Sequence, residues 1–172
     1  MRVINRFSGI IFVFICLLAI STTSLAGQFR VTRVTDGDTV KVTNNDIKMT
    51  IRLVGIDAPE TSKKKNQPGQ PFSRKSTKYL ASLVLNKSVE VKSYGTDRYG
   101  RTLGVVFVSE KNVNLEMIKA GLAEVYRGRP AKGLDLKPYW DAESGAKKAG
   151  IGMWALGDKY ISPKEWRRMH KK

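Results

Sequence analysis

The chain has one histidine and one cysteine in 172 residues, and each shortage closes off a branch of chemistry. His170 stands near the far end, which leaves no Ser/His/Asp triad, no histidine base inside a folded core and no His-rich zinc or copper site. Acid–base and metal chemistry must therefore rest on carboxylates. Those are outnumbered too: 15 Asp and Glu face 31 Lys and Arg, a formal charge of +16. Such an excess points to a polyanionic partner, nucleic acid first and an anionic membrane or wall polymer second. Long apolar runs are also missing. The longest, Ile10 to Ile20, has 11 residues, about half of the roughly 20 that cross a bilayer core.

That run fits a cleaved leader. Arg2 and Arg6 supply its positive start, and Ser24-Leu25-Ala26 puts small residues where a signal peptidase reads. Residues 1–26 are expected to be removed after Ala26, leaving a secreted or periplasmic chain with no membrane partner. Cys16 lies in the middle of the run behind the bulky Ile15, which argues against lipid attachment. The mature chain then has no cysteine, so one apolar core must hold it without disulfides. No repeat or low-complexity linker divides it. The expected organisation is a leader (1–26), one domain (27–156) and a basic tail (157–172), acting as a monomer.

Strand patterns come first along the mature chain. From Asp46 to Leu53 the residues alternate, with Ile47, Met49, Ile51 and Leu53 apolar and Asp46, Lys48, Thr50 and Arg52 polar. Val40 and Val42 alternate with Thr39, Lys41 and Thr43, and Asn44-Asn45 is a hairpin turn between the two runs. Phe29 to Val34 leads into that hairpin; Ser88 to Lys92 and Leu103 to Phe107 complete about five short strands. Helical spacing marks Phe72 to Val84, opened by Pro71 and closed by Asn86. It recurs from Asn114 to Ala120 and from Tyr139 to Ala149, the latter with Pro138 at its start and Gly150 at its end. Ser162-Pro163 can cap one more short basic segment. This order is compatible with a mainly β, α+β domain, a small Greek-key barrel of the OB type.

Three charged clusters fall at strand ends and turns: Asp36-Gly37-Asp38-Thr39; Arg52 followed by Asp57-Ala58-Pro59-Glu60; and Asp97-Arg98-Tyr99-Gly100-Arg101. Taken singly, most of them read as a turn or a solvated strand face more readily than as a site. Together, in one basic domain, they carry a resemblance. Asp36 to Val42, then nine residues, then Arg52-Leu53, Asp57, Pro59 and Glu60 resemble the first signature of the staphylococcal-type nucleases, and Asp97 to Phe107 resembles the second. The likeness runs from about Phe29 to Trp154.

The resemblance implies an OB-fold five-stranded β-barrel with about three helices, hydrolysing phosphodiester bonds of DNA and RNA with one calcium ion. It implies Asp38, Asp57 and the backbone carbonyl of Ala58 as metal ligands, with Asp36 beside them. An all-oxygen set suits a hard cation with a water-rich shell. Glu60 carries over as the group that activates the attacking water, and Arg52 and Arg101 as the guanidinium clamp on a phosphate gaining negative charge. Tyr99 and Tyr126 resemble positions that set an aromatic ring near the nucleotide; packing at the barrel edge is the alternative. Lys63 and Lys64, beside Lys65, either track the phosphate backbone or form a solvated charge run. The tail from Ile161 onward lies outside the family core and reads as extra affinity for DNA or as disorder. A noncatalytic OB module binding single-stranded nucleic acid is the runner-up, although it has no use for carboxylates that repel phosphate. A basic wall- or membrane-surface protein explains the charge but not the paired signatures.

Overall fold

The computed structural model describes residues 28–45, 47–62 and 66–170. The leader expected over residues 1–26, and Lys63 and Lys64, lie outside the described residues. In chain order the elements are β1 (Gln28–Val34), β2 (Thr39–Asn44), β3 (Ile47–Leu53), β4 (Ile56–Asp57), α1 (Ser73–Val84), β5 (Ser88–Thr96), β6 (Thr102–Val108), β7 (Lys111–Asn112), α2 (Val113–Lys119), β8 (Glu124–Val125) and α3 (Lys137–Lys148). A 3-10 segment (Gly152–Lys159), broken at Gly157, and α4 (Pro163–Met169) complete the chain.

The strands β3, β2, β1, β5 and β6 pair antiparallel in that order. A parallel pairing of β3 with β6, Ile51 to Thr102 through Leu53 to Gly104, then closes the sheet on itself. This is the five-stranded OB-type barrel that the sequence led us to expect. Closure removes the open edges that an exposed sheet would offer to other chains. It also demands a close approach where β6 crosses the interior. A side chain at Gly104 would place its Cβ 2.9 Å from Val91 Cγ1 and 3.0 Å from Ile51 Cγ2, so only glycine leaves room there.

Val31, Val40, Val42, Ile51, Leu53, Val89 and Val106 are buried in the core. β-branched side chains dominate the set, as expected for strands whose one face packs into a small barrel. The alternating stripe of β3 fades toward the hairpin, where Ile47 is 55% exposed. Asn45 makes that turn with φ 44°. α1 and α2 seal one mouth of the barrel with Leu80, Val84, Met117 and Ile118. Asn86, expected to end α1, takes φ 62°, and Pro138 falls in the first turn of α3 with Gly150 just past its end at φ 60°.

One buried polar side chain stitches helix to barrel. Asn114 on α2 is fully buried; its Oδ1 accepts from Val106 N (3.1 Å), and its Nδ2 donates to Val54 O (2.9 Å) and Gly104 O (3.1 Å). Four α-helices are present among the described residues rather than about three. The additional one is α4, whose Ser162 and Glu165 form a reciprocal capping box ahead of a first-turn proline.

Candidate active site

Barrel closure brings the two sequence signatures to one place. Arg52 on β3 pairs with Thr39 on one side and Leu103 on the other, so the Asp36–Thr39 turn and the Tyr99–Arg101 turn both border it. These segments, with Ala58 to Thr61, line a cleft of about 1260 Å³. Gly37 lets the first turn sit deep. A Cβ there would lie 2.0 Å from Ser76 Oγ and 2.6 Å from Ala58 Cβ, so α1 seats directly on the turn.

Arg52 spans two carboxylates. Its Nη1 donates to Asp38 Oδ1 at 2.5 Å and its Nη2 to Asp57 Oδ1 at 3.2 Å. Asp38 Oδ2 accepts from the Ala58 amide at 3.2 Å, while Asp38 Oδ1 also accepts from Thr39 Oγ1 at 2.9 Å. Asp36 Oδ1 accepts from the Asp38 amide and shapes the turn from outside. Asp38 and Asp57 are both buried. Burial pushes the Asp38 carboxyl up to about 7, and the Asp36 and Asp57 charges beside it add to that, against Arg52 and the Ala58 amide. Burial alone would lower the Arg52 guanidinium, but Asp38 and Asp57 outweigh it and hold it above its ordinary range.

The second turn is built by Asp97. Its Oδ1 accepts from the Tyr99 amide (2.9 Å) and the Arg101 amide (3.0 Å), and its Oδ2 from Arg101 Nε (2.8 Å). Arg101 is thereby aimed into the cleft by its own loop. Tyr99 and Tyr126 line the same cleft and are 68% and 37% exposed. Arg98 lies over the Tyr99 ring at 4.8 Å.

Three contributors escaped the sequence reading. Gln70 clamps the Glu60 backbone from both sides, with Gln70 N donating to Glu60 O (2.8 Å) and Glu60 N donating to Gln70 Oε1 (3.0 Å). Its Nε2 reaches on to Ile161 O at 2.7 Å. Glu124 lies across from Asp57 in the β4–β8 pair, and its Oε2 accepts from Tyr160 Oη at 2.6 Å. Burial raises the Glu124 carboxyl. Finally Arg167, from α4, donates to Asp57 through both terminal nitrogens and to Glu60 Oε1. The segment expected as a basic tail therefore reaches the centre of the site. The Ser162-Pro163 cap was visible in the sequence; nothing there told which way the helix points.

The donor set fits a hard cation. Among the described residues no group of three or more His, Cys, Asp or Glu could hold a metal ion; Asp38 and Asp57 are buried carboxylates that share Arg52. Carboxylate and carbonyl oxygens suit calcium or magnesium, with waters completing the shell.

A closed OB-type barrel thus gathers acids and guanidinium groups in one basic-rimmed cleft. A family model described as staphylococcal nuclease homologue matches residues 50–156. The chain belongs to that family. An uncharacterized endonuclease of Haemophilus influenzae is 40% identical over 143 residues, covering 83% of this chain and 74% of that protein. A micrococcal nuclease of Shigella flexneri is 35% identical over 152 residues, covering 82% and 80%. The probable endonuclease LCL3 of Pyricularia oryzae is 39% identical over 127 residues; there the match spans 70% of this chain and 49% of the fungal protein.

Proposed function

We propose that this nuclease is a calcium-dependent endonuclease that hydrolyses DNA and RNA to products with 3′-phosphates. The observation that supports this most is the single guanidinium of Arg52 spanning Asp38 and Asp57, with Glu60 in the same cleft. Glu60 takes a proton from the attacking water, the one kind of base this histidine-poor chain offers there. Water attacks phosphorus in line, the P–O5′ bond breaks, and the departing 5′ oxygen takes up a proton from solvent water to become a hydroxyl. Arg52 and Arg101 present fork-shaped donors to the equatorial oxygens, where negative charge grows. Asp38, Asp57 and the Ala58 carbonyl would hold a calcium ion, which when bound would supply Lewis-acid polarisation of the phosphate. Tyr99 and Tyr126 give a sequence-tolerant surface for bases or sugars.

A plasmid-degradation assay with calcium, with chelator and with Glu60→Gln tests the mechanism. Degradation is expected with calcium alone; equal degradation in all three samples would sink it. Tight DNA binding without degradation in any sample would favour the noncatalytic single-strand-binding module. The same reading has the protein exported as a monomer after cleavage following Ala26. N-terminal sequencing and the sedimentation mass of the exported protein check both points. No helix among the described residues is long and apolar enough to cross a membrane.

A further inference from the structure

Arg167 lies beyond the stretch that matches the family model, yet it makes the densest contacts in the cleft. Its Nη1 donates to Asp57 Oδ1 at 3.0 Å and its Nη2 to Asp57 Oδ2 at 2.7 Å, a two-pronged grip on one carboxylate. The same Nη1 donates to Glu60 Oε1 at 2.5 Å. Asp57 Oδ1 also accepts from Arg52, so both Asp57 oxygens already face guanidinium protons. Those hydrogen bonds, and then the two carboxylate charges, hold the Arg167 guanidinium above its ordinary range despite partial burial.

An ion taking Asp57 as a ligand competes with the two hydrogen bonds from Arg167 on that carboxylate and meets its positive charge beside it. Of the two arginines on Asp57, Arg167 is the one free to yield. Arg52 is built into the closing strand of the barrel and gripped by Asp38 as well, with its side chain 20% exposed. Arg167 has a 38% exposed side chain and is carried by α4, a helix of seven residues. We propose that Arg167 is a tethered counter-cation of this metal site, holding Asp57 and Glu60 until a divalent ion displaces it. This rests on the calcium reading above. While Arg167 is docked, Glu60 Oε1 is tied to its guanidinium. Once released, Arg167 remains in the same cleft as Arg52 and Arg101, where its charge faces incoming phosphate.

Isothermal titration of the mature protein with calcium chloride, without nucleic acid, tests this. Arg167→Ala is expected to bind calcium about tenfold more tightly than the unaltered protein, because displacement no longer breaks charge-assisted hydrogen bonds. Arg168→Ala removes the same charge from the same helix turn; Arg168 lines the cleft and has no ion pair among the described residues. Its calcium affinity should change less than twofold. Equal gains in the two variants would reduce the effect to the general field and overturn the proposal, as would unchanged or weaker binding by Arg167→Ala. A second readout needs no variant: saturating calcium should speed hydrogen exchange of the α4 amides in the unaltered protein, and unchanged exchange would overturn the proposal. If no protein bound calcium, the calcium reading itself would fall and this proposal with it; equal affinities across all three would remove the proposal alone.

Discussion

Arg52 does two things with one planar group, since each terminal nitrogen meets a different carboxylate. A lysine ammonium is a point charge on a flexible stem and cannot reproduce that fork. Arg52→Lys is therefore expected to cut kcat by about 10²–10³-fold, the range seen when one oriented donor to a transition-state oxygen is lost. Steady-state cleavage of a labelled oligonucleotide with saturating calcium measures it; a loss confined to KM would mean Arg52 serves ground-state binding only. Glu60→Gln keeps the shape of the side chain and removes the base, so a kcat loss of about 10²–10⁴-fold is expected with an unchanged unfolding curve. These residues were legible in the sequence because each sits inside a short signature whose spacing a barrel strand and its turn preserve. Gln70, Glu124 and Arg167 were not. Gln70 meets Ile161 across 91 positions and Arg167 meets Asp57 across 110, separations that packing decides and local pattern does not record.

Elements show the same division between local and distant causes. β2 and β3 follow their alternation, but the turn between them comes one residue later than Asn44-Asn45: Asn44 still pairs with Ile47, and Asn45 turns with φ 44°. β5 runs on to Thr96, past the expected Lys92, because residues 93–96 are held by pairing with β6 and have no buried face to announce them. β4 and β8 are two residues each and left no periodicity to read. α4 is stabilised locally by its capping box, in which Ser162 Oγ accepts from the Glu165 amide at 3.1 Å. Removing that oxygen with Ser162→Ala should cost about 1 kcal/mol. The loss should appear as faster hydrogen exchange in α4 with little change in the melting midpoint, since the helix packs outside the barrel core; a fall of the whole transition would tie α4 to global stability instead. α2 behaves in the opposite way. Asn114→Ala strands the Val106 amide and the Val54 carbonyl in the interior, and about 3 kcal/mol should be lost from the urea-unfolding free energy of the whole domain.

At the scale of the molecule, the charge of +16 is not a count of phosphate contacts. Several basic side chains neutralise acids of the chain itself. Glu143 on α3 is one sink for them: burial alone would raise its carboxyl, but the Val125 amide, Lys147 and Arg127 outweigh burial and lower it below its ordinary 4.5. A carboxyl lowered on folding contributes stability above its unfolded value, and that contribution vanishes as pH falls through the native one. Glu143→Gln should therefore be less stable than the unaltered protein at pH 7, with the gap closing as pH falls below 4.5 and through the lowered native value in parallel acid-unfolding curves. The cleft divides its cations in the same way. Arg52, Arg101, Arg127 and Arg167 are ion-paired with carboxylates, whereas Arg98, Lys164 and Arg168 line the cleft without an ion pair among the described residues. Only the second group releases counterions when a strand arrives without metal. About three phosphate contacts on single-stranded DNA correspond to a slope of about −2 in log affinity against log salt concentration. Fluorescence anisotropy of a labelled oligonucleotide in chelator measures that slope. A value of about −5 or steeper would show that basic surface outside the cleft takes the nucleic acid, and that the overall charge, rather than the site, sets where the strand lies.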